Sequence, residues 1–151
     1  MPYKVPESVL VVIHTPDLEV LLIERAAHPG YWQSVTGSLE SGESPRQTAC
    51  REVGEETGLA LPPERFCDWQ LTNRFAIFAE WRHRYAPGVS HNIEHVFSLA
   101  VPAPFAPRLA PDEHRDACWL PWRDAAARCF SWTNRDAILM LPDLAARSSR
   151  P

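Results

Sequence analysis

Three carboxylates close together in the chain are the first residues with chemistry in them. Glu52, Glu55 and Glu56 stand at i, i+3 and i+4, and on an α-helix this spacing puts all three within a sector of about 100°. Like charges so placed cost about 0.2 to 0.5 kcal/mol per pair on an exposed helix, and Gly54 adds up to about 1 kcal/mol against alanine. Helix stability alone does not select such a face. A hard divalent cation reverses the sign of the repulsion, because Mg²⁺ or Mn²⁺ accepts neighbouring carboxylate oxygens while keeping several of its waters. The competing reading is a solvated acidic face in which Arg51 pairs with Glu55 at i+4. Gly37, Glu43 and Ser44 weigh against it, since they imply a tight loop where anionic substrate oxygens can meet the carboxylates.

The element that must carry these acids is well marked. Ser44 is a suitable N-cap, Pro45 fits the first helical position, and Gln47 completes a capping box. Gly58 followed by Leu59 supplies the stop. Upstream, Ser8 to Ile13 and Val20 to Glu24 read as two strands of a hairpin around His14-Thr15-Pro16-Asp17, and Tyr31 to Thr36 as a third strand leading to Gly37. Ser38 to Glu43 should loop. Downstream, Phe75 to Trp81 and the alternating Ile93 to Val101 look like two antiparallel strands. The proline-dense stretch from Pro102 to Pro111 reads as a mobile surface connection. Trp122 to Phe130 and Thr133 to Arg147 have helical composition, the second opening with Thr133 and Asp136 at capping-box spacing and interrupted at Pro142.

Composition narrows the class. A chain of 151 residues with 45% hydrophobic content is expected to form one domain over 1–151. A net charge of −4 offers no general attraction to a phosphate backbone, so a nucleic-acid module is not expected. The longest apolar run, Val9 to Ile13, is far short of the roughly 20 residues needed to cross a bilayer. The opening MPYKVPES carries no signal-peptide pattern, and the expected location is the cytoplasm. Cys50, Cys67, Cys118 and Cys129 contain no C-x-x-C pair and read as reduced packing thiols. His91 and His95 share no helical face and are rejected as a zinc site. No feature bears on oligomeric state.

From Gly37 to Leu59 the residues resemble a known pattern, the Nudix box. Gly37, Glu43, Arg51-Glu52, the aliphatic Val53, Glu55-Glu56, Gly58 and the aliphatic Leu59 reproduce it without departure. The resemblance implies a Nudix hydrolase: an α/β fold, an α/β/α sandwich with a mixed central sheet, in which the box forms a loop-helix-loop. It also implies hydrolysis of a diphosphate-linked substrate with a divalent metal. Glu52 and Glu56 would be the principal Mg²⁺ ligands, with Mn²⁺ a possible substitute, and Glu55 a further ligand or an orienter of water. Arg51 and Glu43 would hold loop and helix in register, with Gly37 and Gly58 as conformational residues. The general base in this superfamily often comes from a late loop, and Glu113 is the candidate, as base or as a third metal ligand. Asp112 is its near neighbour, and an ordinary exposed loop glutamate is the alternative.

Beyond the box, YWQSVTGS, WRHRYAPGV and SWTNR resemble segments of the bacterial dihydroneopterin triphosphate diphosphatases, in the same order. That resemblance implies a pterin triphosphate cleaved to the monophosphate and pyrophosphate. The residues are compatible. Lys4 and Arg25 can face the triphosphate, Phe75, Ala76, Ile77 and Phe78 offer apolar surface and strand backbone to a flat ring, and Thr36 and Ser131 offer hydroxyls. Each has a plainer role: the phenylalanines as core, Ser131 as a helix cap, Lys4 as a solvated chain-end cation. Arg82, His83 and Arg84 would steer or clamp phosphates, place His83 for proton transfer, or guard a strand edge. Two other functions compete, hydrolysis of a dNTP that includes oxidised forms, and a silent module that senses a nucleotide. An intact set of box carboxylates argues against the silent module.

Overall fold

The apolar run Val9–Ile13 is fully buried and serves two cores at once. Because side chains alternate across a strand, Val9, Val11 and Ile13 pack on one face with Ala49 and Val53, while Leu10 and Val12 pack on the other with Ala125, Ile138 and Leu141. The strand is therefore the middle layer of a sandwich. In this computed structural model, which describes residues 2–148, the strands are β1 (Glu7–His14), β2 (Glu19–Arg25), β3 (Trp32–Gln33), β4 (Val35–Ser38), β5 (Phe66–Ala76), β6 (His91–Ala100) and β7 (His114–Pro121). Helix α1 (Pro45–Thr57) covers one face of this seven-stranded mixed sheet, and α2 (Trp122–Arg128) and α3 (Trp132–Ser148) cover the other. The expected α/β architecture is the one observed.

The feature that makes the site is a split in the sheet. β1 runs parallel to β6 along its whole length. On its other edge it pairs with β2 only at His14 and Val20, near the turn. Beyond that point the expected hairpin splays, and β4 takes over the edge of β1 from Val11 to Ser8 while β3 takes that of β2 at Ile23 and Glu24. The expected third strand is thus two pieces, hinged at Ser34, whose N–H donates to Asn134 Oδ1 at 2.9 Å. β4 continues through Gly37 and Ser38, one residue into the expected loop.

Helix α1 forms as its end signals require. The Ser44 side chain accepts from the Gln47 N–H and the Gln47 side chain from the Ser44 N–H, at 3.2 and 2.8 Å. Gly58 closes the helix at φ 78°, a left-handed conformation that a side chain resists, and a Cβ there would stand 2.9 Å from Arg108 Cβ.

Four expectations are corrected. The strand placed at Phe75 to Trp81 lies earlier, at Phe66–Ala76, and Ala79–Arg84 is a 3₁₀ turn, so Arg82, His83 and Arg84 guard no strand edge. The connection after Pro102 is not loose: Arg108 N donates to Thr57 O at 2.7 Å, Trp119 Nε1 donates to Phe105 O at 2.8 Å, and Phe105 and Leu109 pack on the core. Helix α3 passes through Pro142 without ending. Full burial of Ile138 and Leu141 outweighs a proline cost of about 3 kcal/mol, since each such side chain contributes about 1.5 to 3 kcal/mol. Its cap is also not Thr133 with Asp136. Ser131 O takes the first helical bond from Arg135 N, and Asp136 pairs with the Arg135 side chain instead. No disulfide joins the four cysteines, and burial pushes the Cys129 thiol up to about 12.

Candidate active site

Arg51 is the hub of the box. Its guanidinium grips Glu43 with two bonds, Nε to Oε2 at 2.7 Å and Nη2 to Oε1 at 2.9 Å, and donates to Ser38 O at 3.1 Å. Glu43 Oε1 also accepts from Thr48 Oγ1 and the Glu40 N–H. The loop is thereby fastened to the helix by a fork geometry that lysine cannot reproduce. The Arg51 guanidinium holds the Glu43 carboxyl well below its usual 4.5, at about 2. A depressed acid contributes stability that is present above the unfolded value and lost as pH falls through the folded one. The stability difference between the wild type and Glu43→Gln should therefore be constant above about pH 5 and shrink as pH falls from about 4.5 toward about 2, vanishing below it. Urea unfolding of both proteins across that range checks it, and a difference undiminished at pH 2 refutes it.

The three box acids stand in different surroundings. Glu56 is 2% exposed and its Oε1 has no hydrogen-bond partner. Burial, with Glu52 beside it, raises its carboxyl well above the ordinary range. Glu52 is raised too, chiefly by burial, although Arg51 Nη1 reaches its Oε1 at 2.8 Å. Its side chain lies over Gly37, where a Cβ would overlap the carboxylate. Glu55 faces outward, 55% exposed, against Arg51 Nη1 at 3.2 Å. The i+4 pair that marked the solvated-face reading is present, but it engages Glu55 and does not reach Glu56. A buried carboxylate with an unpartnered oxygen beside a half-buried one is a donor set that fits a hard divalent cation. Among the described residues no third acid or histidine closes a cage around them, which agrees with an ion that keeps waters and takes substrate oxygens.

Around this ledge runs a cleft of about 840 Å³ lined by Glu52, Glu56, Glu113, Asp112, Lys4, Arg25 and Arg84. Glu113 precedes β7, bears electrostatically on Glu56, and is tied back through its carbonyl to Ala26 N at 2.9 Å. Lys4, Arg25 and Arg84 crowd one another: after burial, mutual repulsion is the next cause lowering Lys4 and Arg25. Half-buried Lys4 and Arg25 and the exposed Arg84 share this cleft with two carboxylates, a charge pattern that suits a polyanion together with a divalent cation.

The cleft opens into a second cavity of about 550 Å³ on the α3 face. Lys4, Arg25, Thr36, Gly37, Ser38, Trp81 and Arg84 line both, because the split between β1 and β2 lets the two sides of the sheet meet at Gly37. The second cavity gathers every substrate-binding candidate from the sequence: Lys4, Arg25, Thr36, Phe75, Ala76, Ile77, Phe78 and Ser131. Ser131 stands immediately before α3, its carbonyl accepting from Arg135 N and its hydroxyl 3.0 Å from Thr133 Oγ1. Trp81 and Phe130 complete the walls within a train of rings, Phe78–Trp81–His28–Tyr31–Phe130, with centroids 4.4 to 5.7 Å apart.

Residues 4–141 match the family described as NUDIX domain. The chain belongs to the Nudix family. Among curated Nudix relatives it is 46% identical over 139 residues to the dihydroneopterin triphosphate diphosphatase of Escherichia coli K12, covering 90% of this chain and 91% of that one. It is 41% identical over 141 residues to the Haemophilus influenzae protein of the same name, covering 91% and 88%. The solved structure of the E. coli dihydroneopterin triphosphate pyrophosphohydrolase superposes with a TM-score of 0.84 at 45% identity, covering 91% of this chain and 95% of that one. Nudix hydrolases work with divalent metal ions, in keeping with the ledge. No helix among the described residues is long and apolar enough to cross a membrane.

Several site residues escaped the sequence reading. His114 Nε2 faces Glu56 Oε1 at 3.6 Å, too far for a hydrogen bond. Burial and the Arg25 charge push this histidine down to about 4, so it is neutral at pH 7. Gln33 accepts from Arg25 Nη1 at 3.4 Å, and the Trp81 ring lies 4.9 Å from the Arg25 guanidinium. Glu94 and Asn134 are buried at the end of the cavity away from the box. No local signal marks Glu94, and Asn134 lies within SWTNR without being distinguished there, since the two reach the cavity only through strand register and the start of α3.

Proposed function

We propose that this chain hydrolyses dihydroneopterin triphosphate to the monophosphate and pyrophosphate, with Mg²⁺ as its ordinary metal. The observation that carries the reading is the joining of the two cavities at Gly37: a carboxylate ledge with three cations on one side, an aromatic slot for a flat ring on the other. The relatives that share most of the chain's length support the same substrate. Glu52 and Glu56 hold the cation, and Glu55 orients water at the rim. When bound, the cation offsets phosphate charge and acidifies water. Lys4, Arg25 and Arg84 bind the triphosphate oxygens and stabilise the charge that builds on the departing pyrophosphate. Glu113 accepts the proton of the attacking water as the bond between the first two phosphate groups breaks. Phe75, Ala76, Ile77, Phe78 and Trp81 hold the pterin, while Thr36 and Ser131 contact its polar periphery. The chain acts as one catalytic domain over 1–151, in the cytoplasm.

The test is a panel of dihydroneopterin triphosphate, dGTP and ADP-ribose with Mg²⁺, read by product identity. The pterin triphosphate should give monophosphate and pyrophosphate at the highest kcat/KM. Preference for dGTP would make the chain a dNTP hydrolase that uses the same carboxylates.

A further inference from the structure

The cavity on the α3 face contains a carboxylate that phosphoanhydride hydrolysis does not use. Glu94 on β6 stands opposite Ser8 of β1 and Asn73 of β5. It is 3% exposed, yet it lines the 550 Å³ cavity and is absent from the walls of the cleft that holds Glu52 and Glu56. Two neutral donors reach it, Asn73 Nδ2 at 3.4 Å from Oε1 and the Thr133 side chain. None of the ion pairs among the described residues includes it. A carboxylate has about four acceptor positions, and a buried one without a cation is costly unless those positions are filled. The two donors account for part of that capacity, and the residue that carries it lines the cavity.

The placement fits the far edge of a ligand anchored at the box. Ser38, Ser8 and Glu94 are register partners on three successive strands, so Glu94 lies roughly 10 Å from the phosphate end at about 4.8 Å per strand. We propose that Glu94 sets base specificity by accepting two parallel hydrogen bonds from a ring N–H and an adjacent exocyclic amino group. Both pterins and guanine carry this edge; hypoxanthine lacks the amino group. Pairing of two donors with two carboxylate oxygens is the geometry of the strong bidentate contacts. The proposal rests on the reading that this cavity receives the heterocycle of a triphosphate.

The pair dGTP and dITP differs only by that amino group and isolates the contact. With the full chain and Mg²⁺, the wild type should prefer dGTP over dITP by about 10- to 100-fold in kcat/KM, mainly through KM. Glu94→Gln presents one donor and one acceptor where the edge offers two donors, and the ratio should collapse to within about threefold. A purely structural role for Glu94 lowers both substrates alike and preserves the ratio, which overturns the proposal. So does a wild type that does not distinguish the two nucleotides, a result that stands even where the variant fails to fold. Strong dGTP over dITP discrimination without turnover of dihydroneopterin triphosphate would sink the pterin assignment and leave the Glu94 contact intact.

Discussion

Glu56→Gln and Glu52→Gln should each lower turnover at least about a hundredfold while leaving the protein folded. The substitutions preserve shape and remove only charge, and charge is what the ledge contributes. The stability effect should have the opposite sign. The folded-state value of Glu56 is raised by burial and by Glu52. An acid raised in this way favours the fold at low pH and costs stability as pH rises past its unfolded value. At pH 7 without divalent metal, the wild type bears that cost and Glu56→Gln does not. Its melting temperature in chelator should equal or exceed that of the wild type. Adding Mg²⁺ should raise the wild-type melting temperature and leave the variant's unmoved, because only the wild type gains a ligand on folding. Unchanged turnover in both variants would remove the ledge from the chemistry, and a marked fall in melting temperature would mean that Glu56 is a structural acid.

Local features were legible where a few neighbouring residues decide the outcome. The capping box at Ser44 and Gln47, the left-handed Gly58 and the acidic face all follow from spacing along one helix. The pairing of Arg51 with Glu43 came from the family resemblance, and the structure shows both bonds. What spacing cannot reveal is which edge a strand takes. β1 and β2 look like a plain hairpin, but β3 and β4 occupy the gap between them, and from this gap come the two cavities and their common wall. β5 was placed late because its inward positions, Cys67, Trp69, Leu71, Asn73 and Phe75, alternate with polar residues and include Asn73. Its register also shifts between Asp68 and Thr72, around Gln70 at φ 54°. Glu94 was hidden for a related reason: on a strand with apolar neighbours it reads as an outward polar residue, and only the packing of α3 turns its face into a cavity wall.

Gly37→Ala should be nearly as damaging to turnover as loss of a carboxylate, although a methyl group carries no charge. Gly37 sits in β4, paired with Val9, and its φ is not among the positive values of the chain, so alanine meets no backbone objection there. The obstacle is steric. The new Cβ would occupy the space of the Glu52 carboxylate, and since strand and helix are both packed into the core, the side chain must yield. Displacing a reacting group by about 1 Å can cost on the order of a hundredfold in rate. A fall of that size in kcat is expected, with a melting temperature within a few degrees of the wild type. Weakened Mg²⁺ uptake in calorimetry should accompany it. A double-mutant cycle assigns the cause: if the methyl acts only through Glu52, adding Gly37→Ala to Glu52→Gln should cost almost nothing further. A full additional hundredfold loss would instead locate the damage in the shared wall of the cavities, and a kcat within threefold of the wild type would show that Glu52 has room to move.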